Sequence, residues 1–183
     1  MQNRKNTLFN YLFLFSGAAL VVALDQWTKA LARQNIPLGG SWTPLPWLAP
    51  LVNFVHQTNS GAAFGMFQGG SLLFTVLAVI ISLGIIYFFP KLAQSSWGLR
   101  VALTMQLGGA LGNLVDRILF NGHVTDFITL LSFTIINLAD AFVTLGTAIL
   151  ILTILIEDHR KASQPALAAA PASDPDSPAS SLS

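Results

Sequence analysis

Long uncharged apolar runs separated by short polar segments set the pattern of this chain. Residues 7–24 carry no charge and read LFNYLFLFSGAALVVAL after the threonine. Residues 66–89 form a second run, closed by Pro90 and Lys91. Residues 101–115 form a third between Arg100 and Asp116, and residues 141–156 a fourth between Asp140 and Glu157. A helix needs about 20 mostly apolar residues to cross a bilayer. The pattern therefore predicts four transmembrane helices, the third and fourth drawing part of their polar flanks into the membrane. The first run follows Arg4 and Lys5, as a secretory signal would. It is long, no clean A-x-A site follows it, and three more runs come after, so it is expected to stay in the protein.

Composition agrees. Apolar residues make up 53% of the 183 positions and charged residues 9%, against about 25% charged in a soluble domain. Such a surface suits lipid. The formal net charge of +1 gives nucleic acid no general attraction. The absence of cysteine removes disulfides and thiol chemistry, and three scattered histidines do not form a zinc set. Between the first two runs, residues 36–67 hold Pro37, Pro44, Pro46, Pro50 and several glycines. Trp42 and Trp47 there suit a membrane–water interface, and residues 51–56 fit a strand. The expected fold is mainly α and integral to the membrane, with a small, partly β extracytoplasmic platform between helices 1 and 2. Residues 1–161 form one membrane domain. Residues 162–183, rich in Ala, Pro and Ser, read as a disordered cytoplasmic tail.

With the N-terminus cytoplasmic, Arg4, Lys5, Lys91, Arg100, Arg160 and Lys161 fall inside, and Lys29, Arg33 and Arg117 outside. The cationic excess inside favours this orientation. Polar residues then collect at the outer face. Asp25 ends the first helix, Asn59 lies in the outer loop, and Asn113, Asp116 and Arg117 end the third helix. Asp126 lies in the second outer loop, and Asn137 and Asp140 open the fourth helix. Carboxylates at membrane depth are costly and persist when paired, wetted or used, which makes the cluster a candidate site.

Each member also has an ordinary reading. Asp25 and Lys29 are spaced i,i+4 with the acid first, as in a helical ion pair. Asp116 shares a helix face with Asn113 and suits a partner for nearby donors. Arg117 suits a substrate carbonyl or a lipid headgroup. Gly108, Gly109 and Gly112 mark close helix packing, since no strand precedes them and no Lys follows as in a phosphate loop. Asp140 sits where acidic residues favour a helix start. Asp126 and Asp140 are nevertheless the pair that suits catalysis, provided the loop between Arg117 and Ile136 folds back to unite them. Two carboxylates about 3 Å apart share one proton. One then activates a water, while the other polarises a carbonyl or protonates a departing nitrogen. That is peptide hydrolysis without metal or cofactor. The residues alone leave three rivals: a proton-coupled carrier using the acids as a relay, a Ser60–Lys29 peptidase, and a non-catalytic assembly protein.

Five segments carry a resemblance: D-Q-W-T-K at 25–29, N-S-G-A-A-F at 59–64, G-G-A-L-G-N-L-V-D-R at 108–117, V-T-D-F at 124–127 and N-L-A-D at 137–140. In this order and spacing they resemble the lipoprotein signal peptidase (signal peptidase II) family of bacteria over residues 8–157. The resemblance implies an aspartyl endopeptidase of the cytoplasmic membrane, its active site near the periplasmic face; a monomer is expected, though no residue pattern in the sequence bears on it. Its substrates would be prolipoproteins bearing a diacylglyceryl cysteine, cut just before that cysteine. It assigns the dyad to Asp126 and Asp140. It gives binding or supporting roles to Asn59, Asn113, Arg117 and Asn137, and groups Asp25, Lys29 and Asp116 with them. The inhibitor globomycin would occupy the same pocket. The chain departs from the family in a short, proline-free loop between the dyad motifs and in Ile136, where Phe is usual.

Overall fold

The computed structural model describes residues 2–61, 70–92, 96–131 and 133–168. Four helices, α1 (Gln2–Asn35), α2 (Ser71–Leu92), α3 (Trp97–Leu119) and α4 (Leu138–Ala168), carry most of the chain. Four short strands, β1 (Ser41–Trp42), β2 (Val52–Asn59), β3 (Val124–Leu130) and β4 (Thr134–Ile136), form one antiparallel sheet in that order. The start of the second apolar run, residues 66–69, lies outside the described residues. Helix α4 runs to Ala168, seven residues into the segment expected to be tail, and residues 169–183 lie outside the description.

Helices α1 and α3 run parallel. Gly17 faces Thr104, Ala18 and Val21 face Gly108, and Asp25 faces Gly112. Helix α4 runs antiparallel to α3, with Gly98 against Thr153, Gly146 against Ala102 and Gly109 against Ala139 and Val143. A Cβ on Gly109 would lie 2.6 Å from the Ala139 carbonyl oxygen. The glycines are thus packing residues, as their spacing suggested. Leu14, Ala18, Ile85, Phe89, Leu103 and Leu107 form the core where α1, α2 and α3 meet.

Three helical stretches, Thr7–Asn35, Ser71–Leu92 and Leu138–Arg160, are long and apolar enough to cross a membrane. Their outer faces expose large apolar side chains such as Leu12, Leu72, Leu83 and Leu152. Helix α3 falls outside this set, since polar Thr104, Gln106 and Asn113 and charged Arg100, Asp116 and Arg117 interrupt its apolar residues. It packs against each of the other three helices. A helix covered by its neighbours can carry polar residues that a lipid-facing helix cannot.

The sheet corrects one expectation. It does not belong to the α1–α2 connection alone, because β3 and β4 come from the α3–α4 connection. An isolated β1–β2 pair would leave the inner edge of β2 unpaired, and β3 covers it. The register pairs Gln57 with Asp126, Thr58 with Thr125 and Asn59 with Val124, with an irregularity between Phe54 and Gln57. Helix α3 ends in a tight reversal at Asn121 and Gly122, both with positive φ (51° and 86°). There the Gly122 N–H donates to the Arg117 carbonyl at 2.7 Å. This is a left-handed helix stop, which glycine adopts without strain. The reversal sends β3 back across the helix ends.

Candidate active site

At the sheet end of the bundle lies a charged cluster closed to solvent. Asp25, Lys29 and Asp116 each have 0% exposure. The Lys29 ammonium is 2.8 Å from Asp25 Oδ2 and 3.4 Å from Asp116 Oδ2, and donates to Asn113 Oδ1 at 3.0 Å. The i,i+4 pair is therefore present, but it has recruited a second acid from α3. Both carboxylates also hold backbone. Asp25 Oδ1 accepts the Ala139 N–H at 2.9 Å, and Asp116 Oδ2 accepts the Thr125 N–H at 2.8 Å.

Three asparagines link this cluster to Asp126 and Asp140. Asn137 precedes α4 and caps it. Its Oδ1 accepts the Asp140 N–H at 3.0 Å, while its own N–H donates to Asp140 Oδ2 at 3.2 Å. This reciprocal capping satisfies helix-end donors and fixes the Asp140 side chain. The ordinary reading of Asp140 as an N-terminal acid is thus fulfilled. The same cap reaches further, since Asn137 Nδ2 donates to Asp126 Oδ1 at 2.7 Å and to Asn113 Oδ1 at 3.1 Å. Asn113 Nδ2 donates to Asp140 Oδ1 at 2.8 Å, and Asn59 Nδ2 to Asp126 Oδ2 at 3.0 Å. Asp126 and Asp140 are consequently both hydrogen-bonded to Asn137. The chain does fold back between them, through the β3–β4 hairpin.

Asp126 is 3% exposed. Burial, and then the nearby charge of Asp140, push its pKa up to about 6 against the hydrogen bonds from Asn59 and Asn137. Both causes disfavour the ionised form. This carboxyl therefore keeps its proton to a higher pH than an ordinary aspartate does.

A groove of about 790 Å³ opens beside Asp140. Phe74, Leu77 and Ile81 of α2 face Val143 and Leu145 of α4 across it. Asn113, Arg117 and Asp140 supply polar groups to its lining, and Thr134 and Ile136 come from β4. The Arg117 guanidinium lies 5.8 Å from the Phe74 ring, within electrostatic reach of Asp140, Asp126 and Asp116. Its Nε is buried and has no hydrogen-bond partner among the described residues.

Every predicted site residue thus belongs to one connected cluster. Two further members had no role assigned from sequence. Gln26 Nε2 donates to Asp116 Oδ1 at 2.9 Å and to the Gly112 carbonyl at 3.1 Å. Arg33 donates to Thr125 Oγ1 at 2.9 Å and lies 3.8 Å from Asp116 Oδ1. Arg33 had a signal, because Asp25, Lys29 and Arg33 repeat every four residues on one helix face. Gln26 had none beyond sitting beside Asp25.

The family model for signal peptidase (SPase) II matches residues 17–156, which span the whole cluster. The chain belongs to the signal peptidase II family. The lipoprotein signal peptidase of Halalkalibacterium halodurans is 39% identical over 149 residues, covering 79% of this chain and 92% of that protein. The lipoprotein signal peptidase of Bartonella tribocorum is 38% identical over 158 residues, covering 81% and 87%. Among solved structures, a bacterial membrane enzyme determined by the in meso method at 2.3 Å resolution superposes with a TM-score of 0.74. It is 34% identical and covers 81% of this chain and 90% of that one. Membership in signal peptidase II makes the chain a peptidase, and its apolar helices and membrane-enzyme relatives make it a bacterial membrane protein.

Proposed function

We propose that this signal peptidase II family member is an intramembrane aspartyl endopeptidase. It removes signal peptides from diacylglyceryl-modified prolipoproteins, cutting just before the lipidated cysteine, with Asp126 and Asp140 as the dyad. The convergence of both carboxylates on Asn137, Asp126 on its side-chain amide and Asp140 on its backbone N–H, supports this most directly. The pair titrates as a unit, so the shared proton belongs to neither residue alone. In the singly protonated state one carboxylate takes a proton from water as the water attacks the amide carbon. The other carboxyl donates to the carbonyl oxygen, and the departing nitrogen is protonated as the C–N bond breaks. Asn59, Asn113 and Asn137 hold the carboxylates in orientation. Arg117, with its unpaired Nε, binds a carbonyl or headgroup of the substrate.

The same reading counts α3 as a fourth span. Its 23 residues reach about 34 Å at 1.5 Å per residue, enough for the hydrocarbon core. It puts both termini in the cytoplasm, the chain as a monomer in the inner membrane, and the sheet and dyad at the periplasmic face. Of the three cations assigned outside, Lys29 and Arg33 lie against site aspartates, and Arg117 is within electrostatic reach of them. The others sit towards the opposite helix ends. The apolar groove suits the signal peptide or the inhibitor globomycin. A lipid anchor holds the scissile bond at a fixed depth, its acyl chains contributing about 0.8 kcal/mol per buried methylene.

The Ser–Lys alternative loses support because Asp25, Asp116 and Asn113 occupy the Lys29 ammonium. A gel-shift cleavage assay on diacylglyceryl prolipoprotein tests the proposal. Asp126→Asn and Asp140→Asn should each abolish cleavage in folded enzyme, while Ser60→Ala cleaves. Substantial activity in either aspartate variant refutes the dyad.

A further inference from the structure

Asp126 sits on a strand and Asp140 on a helix, fourteen residues later. Fourteen residues of intervening chain do not by themselves fix their distance. We propose that Asp116, Lys29 and Asp25 are positioning residues that set the spacing of the dyad, an inference that rests on the dyad reading above. Each buried acid grips the peptide N–H of the residue immediately before a dyad aspartate. Asp116 holds Thr125, ahead of Asp126, and Asp25 holds Ala139, ahead of Asp140. Lys29 joins the two grips, at 2.8 Å from Asp25 and 3.4 Å from Asp116. The result is a strut from β3 through α3 and α1 to the start of α4.

Two observations make the strut rigid. Its three side chains are fully buried, so no water competes for their hydrogen bonds. Its base is the parallel α1–α3 contact, where Ala18 and Val21 meet Gly108 and Asp25 meets Gly112 with no room for a Cβ. Stability alone gives a poor reason to keep such a cluster. A buried ion group is often no more stabilising than apolar residues of the same volume. What apolar residues cannot supply is a directional acceptor for the Thr125 and Ala139 N–H groups.

The test uses the full chain, purified in detergent micelles, with diacylglyceryl prolipoprotein as substrate. Asp116→Ala should lower kcat by about 100-fold per folded enzyme, the loss typical of a 1 Å misplacement, with KM within about twofold. Asp116→Asn keeps an oxygen for the Thr125 N–H and should recover about tenfold of that loss. Should the alanine variant fail to fold, Asp116→Glu decides. It keeps the charge but lengthens the side chain by about 1.5 Å, and should lose kcat by at least about tenfold. A lowered Tm with unchanged kcat would overturn the inference, as would a raised KM with unchanged kcat. Asp126→Asn is assayed in parallel. If it cleaves, the dyad reading falls. If it is dead and Asp116→Ala or Asp116→Glu turns over normally, only the strut falls.

Discussion

Gly109→Ala tests the link between helix packing and catalysis most sharply. The new methyl carbon would lie 2.6 Å from the Ala139 carbonyl oxygen and 2.6 Å from Val143 Cγ2. Ordinary contact begins near 3.4 Å, so α4 must withdraw by about 0.8 Å (3.4 − 2.6) at its first turn. The obstacle is backbone, which cannot swing aside as a long side chain would. Asp140 follows Ala139 directly and moves with it, while Asp126 stays anchored on β3. Misplacement by about 1 Å costs on the order of 100-fold in rate, so kcat should fall about 30- to 100-fold. The fold should survive. Overpacking costs about 1–3 kcal/mol, and alanine returns up to about 1 kcal/mol of helix propensity. Gly84→Ala is the control, because nothing lies within 4 Å of its added carbon. Gel-shift cleavage rates, normalised to folded enzyme by thermal melt, supply the measurement. Wild-type kcat in folded Gly109→Ala would refute the reasoning that α4 placement governs the dyad.

Two further outcomes follow from the site. Asp126 is raised to about 6, so if that value marks loss of the pair's shared proton, the singly protonated share is about 50% at pH 6, about 10% at pH 7 and about 1% at pH 8. If the dyad must hold one proton, kcat/KM should fall about tenfold between pH 7 and pH 8; a flat profile across that interval would contradict it. Prolipoprotein lacking the diacylglyceryl group should be cut at least about tenfold more slowly at equal concentration, because its scissile bond is no longer held at depth. Equal rates on both forms would count against the depth argument.

The site was more legible in the sequence than the fold around it. Charge is rare here, so Asp25, Asn113, Asp116, Asp126, Asn137 and Asp140 stood out against apolar runs. Helix direction alone gathered them at one end. Gly108, Gly109 and Gly112 announced close packing because no other role fitted them. The sheet was harder to see. β3 is buried from Val124 to Phe127 and lacks the alternation of a half-exposed strand. Its partner β2 lies some 70 residues earlier, and no local pattern encodes that pairing. The place of α3 was hidden for a related reason: its polar residues read as helix flanks until its neighbours covered them. The capping of α4 was implicit in Asn137 and Asp140 at a three-residue spacing, yet the reach of that cap to Asp126 depends on the hairpin.

The shared sheet also bears on biogenesis. Strand β2 is synthesised early, but the strand that completes it emerges only after α3 has been made. Until then the nascent chain holds an open backbone edge and half an ion cluster, and on the proposed dyad it lacks both catalytic carboxylates. On that proposal activity arrives in one late step, when the last third of the polypeptide zips onto the first. Two separately expressed halves divided between α2 and α3 carry complementary strand edges and should find each other in the membrane.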